Sequence, residues 1–498
     1  MSVDVVIIGG GVVGTAVARE LSRFDLEIVL LEKEADVACG TSKANSGIIH
    51  AGYNASGDMV KGRMNVRANP LFEDLCQELN VPFKRIGSLV VGFNKDDLKV
   101  LKKKQHNGEK LGIKGLEIWD REQLLNQEPN INPRACCALF APSAGIISPY
   151  ELAIGYADNA ALNGVDIKLN TEVTDIMKDG DRVYGVKSNL GEIRCKLVIN
   201  AAGVFADEIA QWVGDSIKII PRKGEYHLYD KQLGSMVNHI LFPIPTETSK
   251  GILVTPTVHG NLLVGPNSYH IEDKEDISTT DDGLEEVYRG ASRLVPDLPD
   301  DGIITSFSGL RAVAEGDDFI IGFSRNVEGL INVAGIQSPG LSSVPAIADK
   351  VLALIADSSH SDRLRLVPRD DFREKNPVYC RYQDVEEEVE KWKEVVEENG
   401  DYGEIVCRCE SVTRGEIIDA LRRPVPAKTL DAIKRRTRAG SGRCQGGFCQ
   451  PRVVKIIAGE LGISPLAVTK SGGSSVVLSA EAKELIKKKK RESEQNGE

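Results

Sequence analysis

The stretch that most constrains this chain is its first 32 residues. An apolar, β-branched run, Val3-Asp4-Val5-Val6-Ile7-Ile8, stops at Gly9-Gly10-Gly11-Val12-Val13-Gly14. A helical pattern follows, and a second apolar run, Ile28-Val29-Leu30-Leu31, ends in the acid Glu32. Strand, glycine turn, helix and second strand make the opening unit of a parallel sheet. Gly9 allows the sharp turn, Gly11 lets backbone approach a pyrophosphate, and Gly14 lets the helix pack closely on the sheet. Val12 and Val13 begin the helix, whose free N–H groups and partial positive charge attract phosphate. Glu32, with Lys33 beside it, is placed to accept hydrogen bonds from a ribose diol. The pattern predicts a dinucleotide site and leaves NAD and FAD both open.

The remaining composition narrows the setting. At 498 residues the chain exceeds one ordinary core, so several domains are expected. A formal charge of −11 argues against a nucleic-acid surface and says little about small anionic substrates. No apolar run approaches the roughly 20 residues of a membrane span. The first strand begins almost at once, leaving no room for a signal peptide. A cytoplasmic protein is expected, or one peripheral to a membrane through a partner. Ten cysteines in such a chain are mostly thiols or metal ligands.

Further along, Cys39–Tyr53 is small, polar and punctuated by glycine, poor core material but suited to wrapping a cofactor. Helices are expected at about 59–79, 96–111 and 150–163, a strand at 88–92, and irregular chain over 113–140. Strands are expected at 165–169 and 171–176, with a hairpin from 182–188 and 191–195. Leu197-Val198-Ile199-Asn200 then runs into Ala201-Ala202-Gly203, again placing backbone close to a ligand. Residues 220–310 carry strand-like runs with Pro and His between them and read as an antiparallel, substrate-side layer. Leu330–Val333 returns to parallel-strand character, and Gly335–Leu341 opens a helix over about 344–355. Pro368–Tyr402 reads as a linker containing an acidic helical spacer, Glu386–Glu398. The tail, with Lys487–Lys490, reads as a solvated helix end.

Two constellations carry chemistry. Cys407-Arg408-Cys409 is followed by Cys444-Gln445-Gly446-Gly447-Phe448-Cys449. Four thiolates as CxC and Cx4C suit an iron–sulfur cluster, with zinc as the competing reading. The second comprises His50, the cluster Arg222-Lys223-Gly224-Glu225-Tyr226-His227, and Ser308-Gly309-Leu310-Arg311.

On these residues the sequence resembles the D-amino-acid-oxidase-like FAD oxidoreductases, which include FAD-dependent glycerol-3-phosphate and L-2-hydroxyglutarate dehydrogenases. The matching segments are Gly9/Gly11/Gly14, Glu32, the Gly40–Gly52 loop, Asn200–Gly203, Ser308–Arg311 and Gly335–Leu341. The resemblance implies FAD in the glycine-rich site. The fold class expected is α/β and α+β: a Rossmann-like FAD domain from discontinuous segments (1–85, 145–220, 310–360) with an antiparallel cap (86–144, 221–309). A linker (361–403), a small helical [2Fe–2S] module (404–462) and a tail (463–498) follow. The resemblance also implies FAD contacts from Thr41 and Ser42 to the pyrophosphate, from Ser46, Gly47, Ala202, Gly203 and Gly335, and from Val173 against adenine. Ser338, Pro339, Gly340 and Leu341 would place a helix start at the flavin pyrimidine. The C-terminal module resembles the bacterioferritin-associated-ferredoxin-like [2Fe–2S] domain at all four cysteines.

In that family the arginine matching Arg311 faces substrate, where a guanidinium binds carboxylate or phosphate bidentately. His50 suits removal of an alcohol proton as hydride leaves for flavin. Lys223, Tyr226 or His227 would complete an anion pocket. A flavin joined to a one-electron cluster implies a dehydrogenase that feeds an electron-acceptor protein or quinone-linked subunit, as part of a hetero-oligomer. The expected reaction is oxidation of a small anionic secondary alcohol, glycerol 3-phosphate first. L-2-hydroxyglutarate is the alternative, since the His50 loop lacks an arginine, and Gly335–Leu341 a lysine, that many glycerol-3-phosphate dehydrogenases carry. A non-catalytic electron-transfer subunit is the reading from another class.

Overall fold

A computed structural model describes residues 2–245, 251–357, 364–385, 388–484 and 486. The chain divides into two compact units, Met1–Pro377 and Val378–Glu498.

In the first unit, Ser2–Ile8 lies inside an eight-stranded sheet, parallel to Ile28–Leu31 on one side and to Gly191–Asn200 on the other. Leu330–Ala334 extends the sheet in parallel beyond Gly191–Asn200. The registers Ile8↔Leu31, Ile8↔Asn200 and Asn200↔Asn332 bring the carboxyl ends of four strands together. In an open parallel sheet that edge is where ligands bind. Helices Val12–Leu21, Pro149–Leu162 and Gly340–Ala356 bury their apolar faces in one core with the sheet, around Ile7, Leu30, Tyr156 and Ile347.

A second sheet, of nine strands, forms the cap. Its longest pairing is antiparallel, Ile219–Tyr229 against Ile303–Ala314. Its far edge is Ser88–Gly92, Cys137–Ala141 and Glu117–Asp120. The stretch expected to be irregular, 113–140, thus supplies two strands and the helix Arg121–Gln127. Both strands are short, and pairing defines them: Cys137–Ala141 on Ser88–Gly92, and Glu117–Asp120 on Cys137–Ala141. The strand-rich 220–310 region also contains a helix, Asp281–Leu294. Its buried residues Val287, Ala291 and Leu294 give the helical period, and Thr280 caps it by accepting from the Gly283 N–H. Helix 59–79 is broken at Pro70 into Val60–Ala68 and Phe72–Leu79.

The stretch expected as a linker is not free chain. Asn376 donates to the carbonyls of Leu79 and Gly155, and Asn159 donates to those of Arg373 and Glu374, so the chain up to Pro377 is bound to the first unit. From Val378 onward it belongs to the second unit, where Trp392 packs edge-on against Tyr382 and Tyr402. Val389–Glu398 is helical and has no buried residue, as a solvated spacer should.

The second unit builds its core from Val406 on the strand Ile405–Cys407 and from Ile417, Leu421, Ile433, Val454 and Ile457 on three helices, Arg414–Arg422, Leu430–Thr437 and Gln450–Leu461. Thr413 and Glu416 form a capping box on the first. Gly462, at φ +63°, ends the last. Lys487–Lys490 lies outside the described residues.

Candidate active site and cysteine centre

A cavity of about 480 Å³ opens at the carboxyl edge of the parallel sheet, between that sheet and the cap. Two helix starts border it, one through Val12 and Val13, the other through Gly340 and Leu341, with Ser338 and Pro339 just before. The turn below is forced. Gly9 has φ +107°, and a side chain there would sit 2.6 Å from the Ala201 carbonyl oxygen. A side chain at Gly14 would strike the Gly9 carbonyl. Gly11 meets only the Ser42 hydroxyl and lines the cavity.

Ser42 Oγ accepts from the Val12 N–H at 2.9 Å, so its own proton stays available to a phosphate. Thr41 also lines the cavity, and its hydroxyl donates to the Leu310 carbonyl at 2.6 Å, tying the loop to the cap. Glu32 is buried, and its carboxylate accepts from the Gly10 N–H at 2.6 Å and the Glu34 N–H at 2.9 Å. Burial raises its carboxyl above the usual range, against those two bonds. Ser46 and Gly203 line the cavity. Lys33 instead lies over the Phe205 ring, 3.9 Å from its centroid. Val173 and Ala202 pack against the core under the strands, and Gly335 sits against Ala314 behind the lining. Gly47, at φ +64°, turns the loop against the Ile147 carbonyl.

His50 and Arg311 both face the cavity. His50 is held by its backbone: its N–H donates to Ser342 Oγ at 2.8 Å, and its carbonyl accepts from Asn65 and Asn69. Its ring stacks on Phe242 and brings Nε2 to 3.5 Å from Ser338 Oγ. Arg311 donates to the Asn267 carbonyl at 3.0 Å and lies over Gly224, where a side chain would collide with it.

The cap strand Ile219–Tyr229 corrects two placements. Arg222 and Tyr226 line the cavity, and Gly224 between them lies against Arg311. Lys223 and His227, at the alternate positions, face away. Lys223 binds Asp276 and Ser278, and His227 lies between Ser306 and the Leu284 carbonyl. Neither lines the cavity.

The residue that sequence reading passed over is Arg222. It pairs directly opposite Arg311 in the sheet register, two like charges side by side. Burial, and then the Arg311 charge, push its guanidinium below the usual value. Its Nε is buried without a hydrogen-bond partner, while one terminal nitrogen donates to Gln337 at 2.5 Å. Lys61, also lining the cavity, is anchored to Asp317. Like charges facing each other across strands are unfavourable unless an anion joins them. The only signal in the sequence was the strand itself, and its facing needed a register.

In the second unit the four cysteines meet as two pairs: Cys407 with Cys449, both buried, and Cys409 with Cys444, both exposed. The Cys449 thiol donates to Cys407 and lowers it to about 6. Backbone N–H groups of Gly440 and Glu410 point at Cys407, and those of Phe448 and Gly446 at Cys444. Among the described residues no three His, Cys, Asp or Glu side chains form a single-metal site. Two thiol pairs with N–H donors to sulfur suit two irons better than one zinc. The other six cysteines take no part.

Residues 4–354 match the FAD dependent oxidoreductase family, and residues 405–459 match the BFD-like [2Fe-2S] binding domain. The chain belongs to the FAD dependent oxidoreductase family. FAD fits the cavity's glycine turn and paired helix starts, and a [2Fe–2S] cluster fits the four thiols. The chain is 44% identical to a glycerol 3-phosphate dehydrogenase of Caloramator mitchellensis, covering 97% of this chain and 99% of that one. It is 35% identical to a glycerol 3-phosphate oxidase of Mycoplasma genitalium over 71% of this chain and 94% of the relative. The solved FAD-bound, dithionite-reduced L-α-glycerophosphate oxidase of Mycoplasma pneumoniae superposes with a TM-score of 0.72 at 30% identity, covering 76% of this chain and all of that one. Among the described residues no helix is long and apolar enough to cross a membrane.

Proposed function

We propose that this oxidoreductase oxidises sn-glycerol 3-phosphate to dihydroxyacetone phosphate. The observation that carries the reading is the Arg222–Arg311 pair, two guanidiniums from facing strand positions on the cavity wall, with the Nε–H of Arg222 buried and unsatisfied. The Asp317 carboxylate on the same cavity wall offsets part of this charge, and a phosphate oxyanion can accept from both forks. Similarity to the Caloramator dehydrogenase over nearly the whole chain favours phosphate. The missing arginine after His50 and the likeness to an L-2-hydroxyglutarate dehydrogenase of Arabidopsis thaliana, 29% identical, keep a dicarboxylate as the second reading.

Bound FAD would supply the acceptor for the hydride leaving the carbinol carbon. The protein does the rest. Arg222 and Arg311 hold the anion and thereby orient the carbinol. The His50 imidazole takes the hydroxyl proton, its ring fixed by Phe242 on one side and its main chain by Ser342, Asn65 and Asn69. Tyr226, stacked on Phe307, walls the pocket and excludes water. The four cysteines would hold the cluster that takes electrons onward, one at a time, to a partner protein or quinone-linked subunit.

Anaerobic mixing of the FAD-loaded protein with glycerol 3-phosphate and with L-2-hydroxyglutarate, side by side, tests this. Fast bleaching of the flavin band by the phosphate alone is expected. Bleaching by the dicarboxylate alone replaces the substrate, and bleaching by neither returns the chain to an electron-transfer subunit.

A further inference from the structure

Around the exposed pair of thiols lies a surface that the core of the module does not use. Phe448 is 42% exposed and contributes nothing to the apolar core. Two guanidiniums flank its ring, Arg408 at 4.6 Å and Arg452 at 5.1 Å from the centroid. Arg452 also donates to the carbonyl of Ile405, another large apolar side chain left 44% exposed. Arg408 sits between Cys407 and Cys409, and the Phe448 N–H donates to the Cys444 sulfur. The patch therefore borders the outward edge of the cysteine centre.

Its charge is mostly positive: the acid beside Ile405, Glu404, lies 3.8 Å from Arg414. From Arg438 to Gly459 the chain contains no Asp or Glu, although the whole protein carries −11. The one acid between the cysteines of the CxC and the strand that follows, Glu410, is buried and already paired with Arg438 at 2.7 Å. An apolar centre ringed by arginines fits a small, transient interface, and arginine and aromatic residues are the anchors such interfaces favour. A cationic rim on a net acidic molecule selects and steers one sign of partner.

We propose that Ile405, Arg408, Phe448 and Arg452 form the docking surface for an acidic one-electron acceptor protein. The inference rests on the electron-transfer reading above and names the chemistry of its partner. Each alcohol oxidised releases two electrons and, in all, two protons. The electrons cross this surface singly, so two acceptor molecules are each reduced by one electron, while the protons leave by way of His50 and solvent.

The test uses the full chain loaded with FAD and cluster, with soluble acidic cytochrome b5 as probe and basic cytochrome c as its charge-opposite control. Binding is measured without turnover by surface plasmon resonance, and cluster reoxidation by stopped flow after dithionite reduction. Cytochrome b5 is expected to bind more tightly than cytochrome c, with an affinity falling about tenfold or more between roughly 20 and 300 mM salt. Arg452→Glu should weaken binding and slow reoxidation by about fivefold or more, with the cluster spectrum and substrate bleaching of flavin unchanged, and Phe448→Ala should weaken binding by a similar factor. Arg408→Gln, closer to the ligands, is the second charge variant. Binding no tighter than that of cytochrome c, or indifferent to Arg452→Glu, overturns the proposal. If substrate bleaches the flavin but never reduces the cluster, the relay reading fails instead, and the binding arm still decides the docking surface.

Discussion

The two units of this chain assemble their sites in opposite ways. In the first, the cavity draws Ser42, His50, Arg222, Arg311 and Ser338 from positions almost 300 residues apart, carried on two sheets and several loops. In the second, all four cysteines come from one short module, two of them on a loop six residues long. A distributed site needs the whole core in place before any ligand arrives, so it is preformed and rigid. A local site can depend on its ligand for its own fold, because metal binding and module folding share one free energy. Loss of cofactor should therefore leave the first unit folded and loosen the second.

The largest expected effect separates the two directly. Cys444→Ser should cut electron delivery to an external one-electron acceptor by about a hundredfold or more while flavin bleaching by substrate keeps its rate. It should also make the 405–459 region the first site of limited proteolysis. Equal loss of both steps would mean the two sites are not separable.

Next is Arg311→Ala, which removes one charge-assisted fork from the anion and should lower kcat/KM by roughly 2–3 kcal/mol, mostly through KM, with FAD still bound. Unchanged steady-state kinetics would take Arg311 out of the pocket.

Arg222→Met should raise KM by about tenfold. It should also raise the melting temperature of the substrate-free protein, because it removes a like-charge pair and a buried, unsatisfied N–H. A fall in that temperature would mean the pair is not strained without an anion.

The smallest effect concerns the face of the same strand turned away from the cavity. Lys223→Met should leave KM within about twofold, since Lys223 binds Asp276 and not the cavity. Asp276 is held down to about 2, first by the Ser278 hydroxyl and then by Lys223. A depressed carboxyl stabilises above its unfolded value and loses that contribution as pH falls through the folded one. Acid unfolding curves of Lys223→Met and wild type should thus converge between about pH 4 and 2 and differ slightly above.

The same contrast explains what could be read before the fold was seen. The glycine turn, Glu32 and the two cysteine pairs stood out because each is a short run of specific residue types at fixed spacing. His50 and Arg311 were legible through resemblance. Lys223 and His227 were misplaced, and Arg222 passed over, because side chains alternate along a strand and no local pattern says which parity faces a ligand. Here parity is set by pairing with Ile303–Ala314 and by the helix Asp281–Leu294, whose own polar surface hid it among strand-like runs. The first part of the supposed linker was missed for a related reason: Asn376 is an anchor only because of its distant partners Leu79 and Gly155.

The facing arginines have one more consequence. The anion they would grip is the part of the molecule that the reaction leaves untouched, so reactant and product present the same handle. Turnover then runs against its own product, and inorganic phosphate or sulfate in a buffer becomes a competitor for the same grip. Discrimination between alcohol and ketone then falls to the groups that face the carbinol, His50 foremost.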